Sequence, residues 1–227
     1  MKYSIRVNEV KNNDSSLKGF ATVVFSDSFK VTNIAILENK EKGQLFVSMP
    51  RYKSNERDEN GNVYKDVCNP ITKEFREELY GKILEAYENQ QKQEQNQERE
   101  SQEFRDIPEF SVSVTLFERE GSNIRGLARI YFEDSFIVNN VNILQGKENL
   151  FVAMPSYKSK QVDENGKPVY QEVCYPVTKE FREKLYGEIL FAYDWELHQQ
   201  KDKHKNQRAG QNRAERQVSY DRKPSFR

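Results

Sequence analysis

The sequence predicts an α+β protein made of two tandem units, each a four- to five-stranded antiparallel sheet followed by a C-terminal helix. Three observations carry this reading. LFVSMPRYKS at Leu45–Ser54 returns as LFVAMPSYKS at Leu150–Ser159. The match is collinear well beyond that stretch: KGFATVVFSDSF at Lys18–Phe29 aligns with RGLARIYFEDSF at Arg125–Phe136, at offsets between 105 and 107 residues. Within each copy, strand-like segments give way to helical spacing near the end. A period this long exceeds the roughly 20–50 residues of solenoid repeats, so each copy is read as a complete fold.

The elements follow in order. Tyr3, Ile5 and Val7 alternate with polar neighbours, as do Phe110, Val112 and Val114, the pattern of half-buried strands. GFATVVF and FKVTNIAIL come next, rich in β-branched and aromatic residues and separated by Ser-Asp-Ser, in which Asp27 (Asp134 in the second copy) is read as a turn former. LFVSM is a short apolar strand closed by Pro50, which cannot donate to a central ladder. Asn60-Gly61 and Asn165-Gly166 are hairpin signals because both residues tolerate positive φ, and VYKDVC and VYQEVC are the returning strands. Thr72 and Thr178 then cap helices in which Phe75, Leu79, Ile83, Ala86 and Phe181, Leu185, Ile189, Ala192 recur at helical spacing. Gly81 and Gly187 sit inside those helices; either another element approaches closely there or glycine is simply tolerated.

These elements divide the chain into a first unit at 1–88, a polar join at 89–107, a second unit at 108–198 and a basic tail at 199–227. The join, rich in Gln and Glu, predicts a helix that runs on and frays before Pro108, with a polar tether as the alternative. The tail is low in aliphatics and predicts disorder. The formal charge is zero over 36 basic and 36 acidic residues, which argues against a strongly sequence-independent nucleic-acid binder. Its distribution is uneven: residues 1–87 sum to +1, 88–106 to −3, 107–197 to −4 and 198–227 to +6.

Catalytic and metal chemistry find little support. Cys68 and Cys174 occupy equivalent places in separate copies and are read as buried small apolar residues at strand ends. Both histidines, His198 and His204, fall at or beyond the end of the last helix, so no Cys/His spacing suggests zinc and no Ser-His or Cys-His pair forms inside a unit. Glycine-rich phosphate loops are missing from the sequence. No cofactor is implied, and the chain is read as non-enzymatic. The start lacks a signal-peptide core and no apolar run is long enough for a membrane span, which predicts a cytoplasmic protein with no membrane partner.

What remains is the loop after Met-Pro. Arg51, Tyr52, Lys53, Arg57 and Lys65 cluster in copy one; Tyr157, Lys158, Lys160 and Lys167 cluster in copy two. Cations offer phosphate contacts and a tyrosine face can stack on a base. Lys73, Arg76, Lys179 and Arg182 stand in the first turns of the helices, near N–H groups that favour an anion. The tail adds Lys201, Lys203, Lys205, Arg208, Arg213 and Arg216.

Taken together, an apolar strand, LFV-[SA]-MP, a basic hairpin and a proline-containing step into a helix resemble the stage V sporulation protein G (SpoVG) family, small bacterial proteins of about one such unit. The resemblance covers each copy almost whole and leaves out the join and the tail. It implies a cytoplasmic regulator that binds DNA and RNA, forms dimers, lacks enzymatic activity and influences sporulation, septation or virulence expression. Where the family carries a Lys-Arg pair after Met-Pro-Ser, this chain has Arg51-Tyr52-Lys53 and Ser156-Tyr157-Lys158; Asn69 and Tyr175 stand in place of the family's histidine before proline. A family that dimerises implies that two linked copies pair with each other across a pseudo-twofold axis, the tether raising their effective concentration to about millimolar. Copy one and the tail are then expected to carry most phosphate contact. The alternative reading is a protein–protein adaptor in septation or sporulation control, with other regulatory proteins as partners; further oligomerisation of the pseudo-dimer is compatible with both.

Overall fold

Alternate residues of Tyr3–Glu9 (β1) turn inward, as their polarity dictates, and the strand pairs antiparallel with Leu17–Phe25 (β2). The computed structural model describes residues 1–11, 15–54, 57, 61, 63–92 and 107–221, with side chains except those of 91, 92, 160 and 203–221. Phe29–Asn39 (β3) returns along β2, and Gln44–Ser48 (β4) covers the far half of β3 before Pro50 ends it. Arg51–Lys53 (β5) and Tyr64–Asp66 (β6) form a separate two-stranded hairpin; Cys68–Pro70 (β7) and the helix Lys73–Lys92 (α1) complete the first unit. The second unit repeats the order as Phe110–Leu116 (β8), Ile124–Phe132 (β9), Phe136–Gln145 (β10), Leu150–Ala153 (β11), Ser156–Val162 (β12), Pro168–Glu172 (β13), Cys174–Pro176 (β14) and Lys179–Asp221 (α2). The α+β class and the two tandem units are as the sequence predicts.

The units exchange strands. β7 of the first unit pairs with β10 of the second, Cys68 opposite Val138, while β14 of the second pairs with β3 of the first, Cys174 opposite Val31. Each five-stranded sheet therefore consists of four strands of its own and one from the other unit. The flanking residues repeat the exchange: Ile71 N donates to Ser135 O and Val177 N to Ser28 O, both at 2.8 Å. Phe25 and Phe136 lie 4.9 Å apart between ring centroids, and the equivalent pair Phe29 and Phe132 lies 4.8 Å apart, so the seam is a cluster of buried phenylalanines with near-twofold symmetry. The expected intramolecular pseudo-dimer is present, with one continuous hydrophobic core.

Two tight features shape each unit. The turn Phe25–Ser28 has positive φ at both Ser26 and Asp27, as does Glu133-Asp134 in the second copy, the turn hand that matches the twist of the strands it joins. In β3 and β10 the burial alternation slips by one residue where Asn33 (φ 59°) and Asn140 (φ 57°) adopt left-handed backbone. That bulge marks the point where the outer edge of β3 stops pairing with β14 and starts pairing with β4.

Three local expectations change. The fourth buried position of each helix is Tyr87 or Tyr193, not Ala86 or Ala192, which are half-buried; steps of four residues keep Phe75, Leu79, Ile83 and Tyr87 on one stripe. The hairpin turn at Asp163–Gly166 has positive φ only at Gly166, because Asp163 Oδ1 accepts from the backbone N–H groups of Asn165 and Lys167 and organises the loop itself. Asn60 and residues 93–106 of the join lie outside the described residues. The tail is helical as far as Asp221, a continuation of α2 through Gln-, Lys-, Arg- and Ala-rich sequence of favourable intrinsic propensity.

No described element approaches Gly81 or Gly187: among the described residues an added Cβ would meet nothing within 4 Å at either. Tolerance is the answer to the question their positions posed. Gly81→Ala and Gly187→Ala should each stabilise the protein by about 1 kcal/mol, read as a rise in the urea midpoint at unchanged slope. Gly126 is the opposite case. A Cβ there would fall 3.1 Å from the Tyr193 ring and 3.2 Å from Ile143 Cδ1, so Gly126→Ala should lower the same midpoint.

At the seam, the thiol of Cys68 is hydrogen-bonded to that of Cys174 and wholly buried; those two effects, in that order, push Cys68 well above the ordinary thiol range. A raised folded-state pKa contributes stability that is complete below the unfolded thiol value of about 8.5 and is lost as pH climbs toward the folded one. The urea midpoint should therefore fall between pH 8 and pH 10, and fall less in Cys68→Ala.

Candidate nucleic-acid interface

The strand exchange creates two related clefts, each between the hairpin of one unit and the bulge of the other. In the first cleft, β5 and β6 set Arg51 opposite Asp66 and Tyr52 opposite Lys65. Facing them from the second unit are Arg129 on β9 and Asn139-Asn140 at the β10 bulge. Asn139 holds the hairpin in place: its backbone N–H donates to Val67 O at 2.7 Å and its side-chain amide to Asp66 O at 3.3 Å. Arg51 Nε donates to Asp66 Oδ1 at 2.8 Å in a partly exposed pair, a geometry worth at most about 1 kcal/mol and so one that a competing anion can displace. Among the described residues lining this cleft, three are cations, Arg51, Lys65 and Arg129, and one is a carboxylate, Asp66.

The second cleft has nearly the same volume, about 800 Å³ against about 790 Å³, and a different lining. Ser156 stands where the first has Arg51, Gln171 where it has Lys65, Glu172 where it has Asp66 and Tyr175 where it has Asn69. The residue aligned with Arg129 is Thr22. The cleft thus holds no cation among its lining residues, one carboxylate and three tyrosines, Tyr157, Tyr170 and Tyr175.

Of the residues singled out in the sequence, Arg51, Tyr52 and Lys65 line the first cleft and Tyr157 the second. Lys53 and Lys158 are exposed on their hairpins, Lys167 is exposed by the turn, and Arg57 Nη1 donates to Gly61 O at 3.1 Å. The helix-start residues stand elsewhere. Lys73 and Lys179 pair with Glu77 and Glu183 one turn on, and Arg76 and Arg182 donate to the carbonyls of Pro70 and Pro176 at 3.1 and 3.2 Å, clamping the end of each exchanged strand. Lys201 is exposed on α2; Lys203, Lys205, Arg208, Arg213 and Arg216 follow on the same helix with side chains outside the described residues, as is the side chain of Lys160. The residues missed by sequence reasoning are Asn69, Arg129, Asn139 and Asn140. Asn in mid-strand, at TNI and NNV in the two copies, is the available signal, since Asn is depleted in strands and enriched at left-handed backbone.

No described helix is long and apolar enough to cross a membrane. Comparison with known proteins agrees with the duplicated architecture. The chain is 34% identical over 74 residues to "Putative septation protein SpoVG" of Treponema denticola, covering 33% of this chain and 73% of that one. It is 36% identical over 72 residues to the protein of the same name from Phytoplasma australiense (32% and 69%), and 31% identical over 83 residues to that from Lachnospira eligens (37% and 86%). Each of these relatives is similar to about one unit. The SpoVG family profile matches residues 1–89 and again 107–195, and with two full matches on one polypeptide the chain belongs to the SpoVG family.

Proposed function

We propose that this chain is a cytoplasmic, non-enzymatic regulator that binds nucleic acid, DNA or RNA, and acts in septation, sporulation or gene expression. The observation that carries the proposal is the first cleft. Arg51 and Lys65 from one unit and Arg129 from the other line it together with Asn69, Asn139 and Asn140, whose amides are donors suited to phosphate and sugar oxygens. The relatives' shared name as septation proteins supports the cellular context. The basic run along the far part of α2 supplies further charge. The test is a binding titration of the full-length protein with DNA and RNA from about 50 mM salt upward, in which affinity should fall steeply as salt rises. Absence of binding to both at the lowest salt rejects the proposal.

One feature favours the adaptor reading as a second function. Phe191 and Trp195 are 66% and 58% exposed on α2, where the first unit carries Glu85 and Asn89. A partner captured through that face would survive nuclease treatment, and Trp195→Ala would release it. Loss of the captured protein on nuclease treatment would leave nucleic acid as the bridge.

A further inference from the structure

Resting on the proposal that the first cleft holds phosphates, we infer that the second cleft is a base-stacking site, so that the two together take a single-stranded nucleic acid. The clefts lie side by side across the pseudo-twofold axis. Asn69 lines one and Tyr175 the other, and each directly follows one of the two hydrogen-bonded cysteines at the seam. A strand anchored by its backbone in the first cleft would reach the second by crossing the seam.

The second cleft is unsuited to phosphate. It presents Glu172 and no cation among its described lining residues, Lys30 lying against the Tyr175 ring, so a phosphate there would meet a like charge that three cations do not offset as in the first cleft. It is suited to an uncharged ring. Tyr170 is 64% and Tyr157 39% exposed, so both rings bordering the cleft offer free surface, Tyr157 on the face of the hairpin it shares with Gln171 and Tyr170 on the other. Two of the three rings have partners before any ligand arrives. Tyr157 donates its hydroxyl hydrogen to Gln171 Oε1 at 2.6 Å, and the Lys30 ammonium sits 5.7 Å from the centroid of the Tyr175 ring. Pre-set aromatic faces lose little entropy on binding. Asn33, Gln171 and Glu172 border the rings with amide and carboxylate groups of the kind that meet base edges. Bases inside a continuous duplex offer no free face, whereas those of a single strand or loop do. Duplication frees the two clefts from strict symmetry, and here one carries the cations and the other a third ring.

The test uses the full chain, a short labelled single strand and an abasic strand of the same length, which has the same phosphates and no bases. The wild type should prefer the intact strand by about tenfold for each base stacked. Tyr157→Ala/Tyr170→Ala should lose that preference while binding the abasic strand as the wild type does, and Tyr157→Phe/Tyr170→Phe should retain it. Both positions are exposed enough for the variants to fold, which the Phe pair checks independently. Retention of the preference in the Ala pair would overturn the base site and leave the phosphate cleft standing. Failure of the wild type to bind either strand would instead overturn the nucleic-acid reading from which the inference starts. Running the pair of strands as DNA and as RNA reports which sugar the site accepts.

Discussion

Phe25→Ala should destabilise the whole molecule by about 3–5 kcal/mol, and the second unit should lose protection along with the first. The ring is fully buried between its own helix and the opposite unit. Its centroid is 6.4 Å from Phe75 on α1, 4.9 Å from Phe136 and 6.5 Å from Phe132. Deleting it opens a void that no single unit can close by settling, because strands from both units wall it. The exchanged strands extend the damage. β7 has its ladder partner in the second unit and β14 in the first, so neither sheet is complete if the units part. Hydrogen exchange followed by mass spectrometry reads the outcome directly: amides of β9 and β10 should exchange faster in Phe25→Ala, in step with those of β2 and β3. Wild-type protection in the second unit would mean that the halves are independently stable. Phe46→Ala is the contrasting case. That ring is 45% exposed on β4, and its loss should change stability by no more than about 0.5 kcal/mol.

Repetition and periodicity made the fold legible. Strand alternation, the caps Thr72 and Thr178, and the Phe-Leu-Ile stripe of each helix are local signals, and the caps are realised in hydrogen bonds from Phe75 N and Phe181 N at 3.3 and 3.2 Å. The exchange of β7 and β14 was not legible. VYKDVC reads as one returning strand, but Val67 interrupts it: Tyr64–Asp66 pairs at home and Cys68–Pro70 pairs across the seam. Nothing local separates those fates, since the second depends on an edge contributed by residues about 70 positions away. The site was half legible for the same reason. Its hairpin cations are close in sequence and stand out as a cluster, whereas Arg129 is one of two arginines in an otherwise apolar strand and matters only through its place opposite the hairpin. Arg76 and Arg182 show the converse error of proximity: they sit where an anion would be welcome, and each spends a guanidinium N–H on the proline carbonyl six residues back, at the end of the preceding strand.

Arg129→Ala, a change in the acidic second unit, should weaken nucleic-acid binding about as much as Arg51→Ala in the first. Both side chains face one cleft, so the charge of the unit that carries them is irrelevant to what they do there. A charge-assisted hydrogen bond contributes about 1.5–3 kcal/mol, so each loss should lower affinity at low salt by roughly tenfold or more. The double variant should also flatten the dependence of log affinity on log salt by about 2, one for each phosphate contact removed. Asp66→Asn should act in the opposite direction. It releases Arg51 from its 2.8 Å partner and removes the cleft's carboxylate, so affinity rises without any new donor. Lys73→Ala and Lys179→Ala are matched controls of equal charge outside the cleft, each already paired along its helix, and should leave both affinity and slope nearly unchanged. These variants separate local geometry from bulk charge: if all four cation removals weaken binding equally, the molecule attracts phosphate only through its overall field, and the cleft has no special part in it. If instead the slope is unchanged in Arg51→Ala/Arg129→Ala and collapses when residues 199–227 are removed, the basic end of α2 is the phosphate site and the seam serves stability alone.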